Sequence, residues 1–188
     1  MNHHDHVNLL KNGIPQPGGV WADFGSGSGA FTLALRELVG TDAEIYSIDK
    51  DAGALREQER AFSQMFPHSH VHFIHADFTH ALNLPPLDGA VMANALHYFQ
   101  NDTPSRLLRN GMSKETVLRH IREYLKPNGV FLLVEYNVDY GNMWVPHPLS
   151  FETFRTLAPR AGFSEPRLLA TVPSRFLHEF YSAAAHRI

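Results

Sequence analysis

The stretch Val20-Trp21-Ala22-Asp23-Phe24-Gly25-Ser26-Gly27-Ser28-Gly29-Ala30-Phe31 constrains this chain more than any other. An apolar, β-prone run reaches an acid, crosses three glycines at alternate positions and passes into the amphipathic segment Phe31 to Leu38. Glycines at that spacing permit positive φ and let a ligand lie against bare backbone, because no Cβ intrudes. A helix that starts directly after such a turn offers free N–H groups and the positive end of its dipole. The reading is strand, tight turn, helix, with a nucleotide-like ligand over the turn. Gly25, Gly27 and Ala30 also fit the dinucleotide fingerprint G-x-G-x-x-A, so the turn alone leaves the ligand open.

The acids around it narrow the choice. Asp23 stands two places before Gly25, where a carboxylate would face an ammonium or a hydrogen-bond donor; nicotinamide-binding turns usually keep that place apolar. Glu44 to Asp49 reads as a second strand ending in a carboxylate, placed to accept from a ribose diol. Val71 to Phe78 reads as a third strand ending in an acid and an aromatic, Asp77 and Phe78, which suit an adenine amine and an adenine face.

At these residues the chain resembles the class I S-adenosylmethionine-dependent methyltransferases. The opening motif, acid-x-Gly-x-Gly-x-Gly, is matched by Asp23, Gly25, Gly27 and Gly29, the second-strand acid by Asp49 and the third-strand acid by Asp77. Leu87 to Asn94 looks like the fourth strand of the family, and Leu125 to Val134 like its helix-to-fifth-strand junction. The resemblance implies an α/β, three-layer Rossmann-like fold with a seven-stranded, mostly parallel sheet in the order 3-2-1-4-5-7-6 and an antiparallel C-terminal strand. It implies a single S-adenosylmethionine-binding domain over residues 20–188, with residues 1–19 as an N-terminal segment that serves as a lid.

The same resemblance assigns a cofactor, S-adenosyl-L-methionine, and a product, S-adenosyl-L-homocysteine. Asp23, Phe24, Gly25, Ser26, Gly27 and Gly29 would hold the methionine end, Asp49 the ribose with Lys50 at its edge, and Asp77 with Phe78 the adenine, while Asn94 closes the pocket after the fourth strand. Asn94-Ala95-Leu96-His97 does not read as Asn/Asp-Pro-Pro-aromatic, the signature of enzymes that methylate exocyclic amines of bases or glutamine. His97 follows the fourth strand and has an unperturbed titration range suited to a general base. Tyr98, Tyr140, Trp144 and His147 lie on ligand-side loops and are acceptor-pocket candidates.

A chain of 188 residues, 44% hydrophobic, fits one α/β domain with a substantial core. A net charge of −3 argues mildly against nucleic acid as partner, and the chain contains no cysteine, which excludes disulfides, thiolate zinc sites and cysteine nucleophiles. No apolar run approaches the roughly twenty residues of a membrane span, and the polar start Met1 to His6 is no signal peptide, so a cytoplasmic setting without membrane contact is expected. His3, His4 and His6 read as a disordered polar terminus, and His68, His70 and His72 as a polar strand edge, with no metal site expected.

Further along, Leu55, Phe62 and Phe66 mark a helix stopped by Pro67, Gly89 to Ala95 a buried fourth strand, and Val130 to Tyr136 a central fifth strand. Ser113 is a helix N-cap, a helix from Ser150 to Ala158 is bounded by Pro159, and Arg167 to Val172 with Phe176 to Ala184 form a terminal antiparallel pair. The leading function is in-line methyl transfer to a small molecule. The alternatives are an RNA or protein methyltransferase, marked by a basic surface from Arg106, Arg109, Lys114, Arg119 and Arg122, and a non-catalytic cofactor-binding subunit. Oligomeric state leaves no signal in the sequence.

Overall fold

The computed structural model describes residues 1–101 and 112–188. Its frame is a seven-stranded sheet: β1 (Val20–Phe24), β2 (Glu44–Asp49), β3 (His70–His75), β4 (Leu87–Ala93), β5 (Leu125–Tyr136), β6 (Arg167–Pro173) and β7 (Glu179–His186). The spatial order is β3-β2-β1-β4-β5-β7-β6, the order implied by the resemblance. Strands β1 to β5 are parallel, and β7 runs antiparallel between β5 and β6.

Alternation along the central strands sends successive residues to opposite faces. Trp21, Ile45, Val91 and Leu132 pack beneath α1 (His3–Leu10) and α2 (Ala30–Val39), whereas Ala22, Ala90, Phe131 and Leu133 pack beneath α4 (Lys114–Arg122) and α5 (Phe151–Arg160). The remaining helix, α3 (Ala52–Met65), covers the β2 and β3 side, where Phe62 meets Phe73 with ring centroids 5.7 Å apart. Because β1 to β4 are parallel, their carboxyl ends gather along one edge, and β1 and β4 are neighbours there. Among the described residues no helix is long and apolar enough to cross a membrane.

Several expectations need correction. The N-terminus is ordered helix: Asn2 and Asp5 form a reciprocal capping box, Leu9 and Leu10 are fully buried, and the His3 Nε2 atom lies 2.7 Å from Glu37. Strand β3 ends at His75, so Asp77 and Phe78 stand on the loop beyond it. Helix α5 runs through Pro159 to Arg160, since proline's φ suits a helix and its missing N–H removes only one bond near the end. Strand β5 starts at Leu125, pairs with Leu87, and resumes its register at Val130 after an irregular Lys126 to Gly129. His70 and His72 do lie on the edge strand β3.

Candidate active site

The glycine turn joins the end of β1 to α2. Gly25, Gly27 and Gly29 have φ of 77°, 54° and 86°, a region that residues with a Cβ rarely adopt. A Cβ at Gly25 would collide with Ala95, and one at Gly29 with Gln58, whereas one at Gly27 would point into open space. Gly29 is also the N-cap of α2 and provides no side-chain bond to it, which leaves the first-turn N–H groups available to a ligand.

The turn is held from below. The Asp49 carboxylate, at the end of β2, accepts from Gly27 N–H at 2.7 Å through Oδ2 and from Asp51 N–H at 2.8 Å through Oδ1. The buried Gln58 amide of α3 donates to the Gly27 carbonyl at 3.1 Å and accepts from the Ser47 hydroxyl at 2.6 Å. Ser47 also reaches the Ser26 hydroxyl at 2.7 Å. Asp49 thus braces the turn as well as facing the cleft, and Gln58 and Ser47 are additions that motif reading missed. Gln58 leaves a trace in the sequence as a polar residue on the α3 face that carries Leu55 and Phe62, and Ser47 stands two places before Asp49 on the same face of β2.

Asp23 is 1% exposed, with Oδ2 accepting from the Thr32 hydroxyl at 2.6 Å and Oδ1 buried without a hydrogen-bond partner among the described residues. Burial pushes its pKa up to about 7, against the lowering effect of Thr32 and with the nearby Asp49 charge adding to the rise. Asn94, just past β4, has φ of 53° and a buried Oδ1 that is likewise unpartnered. Two orphaned buried oxygens near the turn are what a donor-rich ligand end would satisfy.

Across the cleft, Asp77 accepts from the Thr79 N–H at 2.9 Å and the Thr79 hydroxyl at 2.6 Å. Burial works against the Asp77 carboxylate, but those two bonds, with His80 and Lys50 beyond, outweigh it and hold its pKa below the usual value. The Phe78 ring lies edge-on to Phe24 at 6.2 Å and near the position a Gly25 Cβ would take. Lys50 is exposed.

The far side of the cleft is built on Glu135, a third residue that motif reading missed. It is fully buried in β5, and its carboxylate accepts from the His97 N–H at 3.1 Å, from His97 Nδ1 at 3.0 Å and from the Tyr136 N–H at 2.8 Å. A carboxylate inside the most apolar run of the chain was the available signal. The His97 carbonyl accepts from the His147 N–H at 3.1 Å, and the Tyr98 ring lies 4.4 Å from the imidazole. Tyr98, Tyr140, Met143 and Trp144 are all largely exposed, and among the described residues neither Tyr140 nor Trp144 makes a hydrogen bond or ring contact with His97.

Lys114, expected on a basic surface, is fully buried and donates to Asn101 Oδ1 at 2.9 Å. Burial pushes its pKa down to about 8, with Glu135 and Asp139 pulling it back up. Burial, then Lys114 and His97, lowers His147. Arg119 pairs with Glu115 and Arg122 with Glu123, while Arg106 and Arg109 lie outside the described residues.

Comparison with known proteins agrees with this geometry. The chain is 26% identical over 167 residues to an arsenite methyltransferase of Aquipseudomonas alcaligenes, covering 80% of this chain and 46% of that protein. It is 29% identical over 112 residues to a ribosomal RNA small subunit methyltransferase H of Granulibacter bethesdensis, covering 54% and 33%. The chain therefore spans less than half the length of these curated relatives. The N-methyltransferase NodS of Bradyrhizobium japonicum, solved with S-adenosyl-L-homocysteine, shares the fold with a TM-score of 0.71 at 16% identity over 98% of this chain and 86% of that one. Residues 16–153 match the family described as a methyltransferase domain, and with most of its length so matched the chain belongs to that family.

Proposed function

We propose that this chain transfers the methyl group of S-adenosylmethionine to a small-molecule acceptor. The observation that carries the reading is a row of three carboxylates, Asp23, Asp49 and Asp77, at or just beyond the carboxyl ends of adjacent parallel strands, around a glycine turn with open space over Gly27. The orphaned Oδ1 atoms of Asp23 and Asn94 suit the ammonium of the amino-acid end. Asp49 keeps lone pairs for the ribose hydroxyls, and Asp77 with Phe78 suits the adenine. Lys50 stands at the ribose edge.

The cofactor supplies a methyl group on a sulfonium, a good leaving group. Positioning and electrostatics therefore carry most of the rate, and a base is needed only for an acceptor that must lose a proton. His97 is that base in our reading, with Tyr98, Tyr140, Trp144 and His147 around the acceptor. Helix α1 contributes to the cover, since the His6 ring lies 4.7 Å from Phe31 at the start of α2. The cytoplasmic setting expected from the sequence belongs to the same proposal.

A small molecule is favoured over RNA by the fate of the basic residues, since Lys114 is buried and Arg119 and Arg122 are paired with acids. Arsenite is a thiophilic acceptor, and these residues bring no thiol to it. Calorimetric titration tests the reading: S-adenosylhomocysteine should bind at one site per chain and NAD should not. Binding of NAD in its place would overturn it.

A further inference from the structure

Outside the proposed cofactor half of the cleft, the strongest unexplained feature is a fully buried carboxylate whose hydrogen-bond partners among the described residues are all N–H donors. Glu135 takes both the backbone N–H and Nδ1 of one residue, His97, and its other oxygen takes the Tyr136 N–H. It lies in β5 one position beyond the pairing of Ala93 with Val134, so the two neighbouring strands hold the pair in register. The imidazole itself retains only 4% of its surface, and its Nε2 has no hydrogen-bond partner among the described residues.

An ionised carboxylate can only accept, so the imidazole nitrogen it faces must carry hydrogen. In a neutral ring the other nitrogen is then bare. We propose that Glu135 is a positioning residue that holds His97 as the Nδ1–H tautomer with a basic Nε2 turned to the acceptor, and that the acceptor is therefore a hydroxyl compound that loses its proton on methylation. The inference rests on the proposed function above.

The balance closes without a further reagent. A lone pair of the acceptor oxygen forms the new O–C bond, and the methyl–sulfur bond breaks with its electron pair kept by sulfur. The O–H proton passes to Nε2. One positive charge leaves the sulfonium and one appears on the imidazole, where Glu135 already stands to stabilise it. Exposed aromatic rings at Tyr98, Tyr140 and Trp144 on the flanking loops favour a flat aromatic hydroxyl compound among such acceptors. The buried Lys114 feels the charge of both Glu135 and Asp139.

The direct test is a two-bond proton–nitrogen spectrum of the histidine-labelled full chain with bound S-adenosylhomocysteine. We expect His97 to show a protonated Nδ1 and a bare Nε2 in the wild type, and a mixed or inverted population in Glu135→Gln, whose amide can no longer accept from every neighbour. A wild-type His97 protonated on Nε2 overturns the proposal and requires no variant to fold. With 2-naphthol as the probe acceptor, kcat should fall about 10² to 10⁴-fold in His97→Ala and about 10²-fold in Glu135→Gln, with KM little changed and partial recovery in Glu135→Asp. Methylation of 2-naphthol indifferent to Glu135→Gln also overturns it. Failure of the wild type to bind S-adenosylhomocysteine would instead strike the cofactor assignment, and the same spectrum of the unliganded chain would still decide the tautomer.

Discussion

The Thr32 hydroxyl, in the first turn of α2, donates to Asp23 Oδ2 at 2.6 Å and leaves Oδ1 of the same buried carboxyl bare. One oxygen belongs to the fold and the other is free for a ligand. The arrangement has measurable consequences, because burial has pushed this carboxyl up to about 7.

The first consequence is a pH dependence of stability without ligand. A folded-state pKa raised above the unfolded value gives stability that is full below the unfolded pKa and is lost as pH rises through the folded one. The window here is pH 3.8 to about 7. Chemical denaturation should show a loss of up to about 4 kcal/mol from this group across that window, and Asp23→Asn should remove it. An Asp23→Asn protein with the wild-type slope would contradict the burial argument.

The second consequence concerns binding. An ammonium brought to Asp23 Oδ1 favours the carboxylate, so binding of S-adenosylhomocysteine should release a proton below about pH 7. Affinity should therefore rise between pH 5.5 and 7.5. Calorimetry in buffers of different ionisation enthalpy measures the released proton directly, and Asp23→Asn should abolish both effects.

Gly27→Val should leave the protein folded but unable to bind the cofactor. The φ of 54° costs a β-branched residue roughly 1 to 2 kcal/mol, and the new side chain would fill the open space proposed for the ligand. Thermal denaturation and titration on the same sample separate the two effects; wild-type affinity would remove the turn from the site.

Asp49→Ala should weaken S-adenosylhomocysteine by roughly 1.5 to 3 kcal/mol, the scale of a hydrogen bond to a charged group. It also strips the Gly27 N–H of its partner, so part of the loss should appear as faster amide exchange in residues 25–29 before any ligand is added. Unaltered exchange and affinity would leave Asp49 with neither role.

Lys114 carries the opposite sign. Its pKa is depressed to about 8 from 10.5, so its contribution is present above the unfolded value and is lost as pH falls through the folded one. Stability contributed by this group should rise by about 3 kcal/mol between pH 8 and 10.5, and Lys114→Met should flatten that rise. Urea denaturation at the two ends of the window checks it.

The glycine turn and the acids around it were legible because they depend on backbone conformation and on strand ends. Glycines that must adopt positive φ, and acids placed just where parallel strands stop, are local patterns, so Asp23, Gly25, Asp49 and Asp77 could be named from spacing. The sheet order followed from the same resemblance. Glu135 and Lys114 depend on contacts between residues distant in sequence: Glu135 meets His97 across 38 positions, and Lys114 is buried only once α4 packs on the sheet. The histidine-rich start was misread because composition outweighed the Asn2 and Asp5 cap, whose meaning depends on two residues three apart.

The chain has two tryptophans in opposite surroundings: Trp21 is 2% exposed under α1 and α2, and Trp144 is 77% exposed on the loop after β5. Its fluorescence is therefore the sum of a shielded emitter and a hydrated one. A molecule that settles against Trp144 would shift only the red component and protect it from acrylamide quenching, while Trp21 serves as an internal standard. The protein thus carries its own optical probe for screening acceptors, with no label attached and no turnover required.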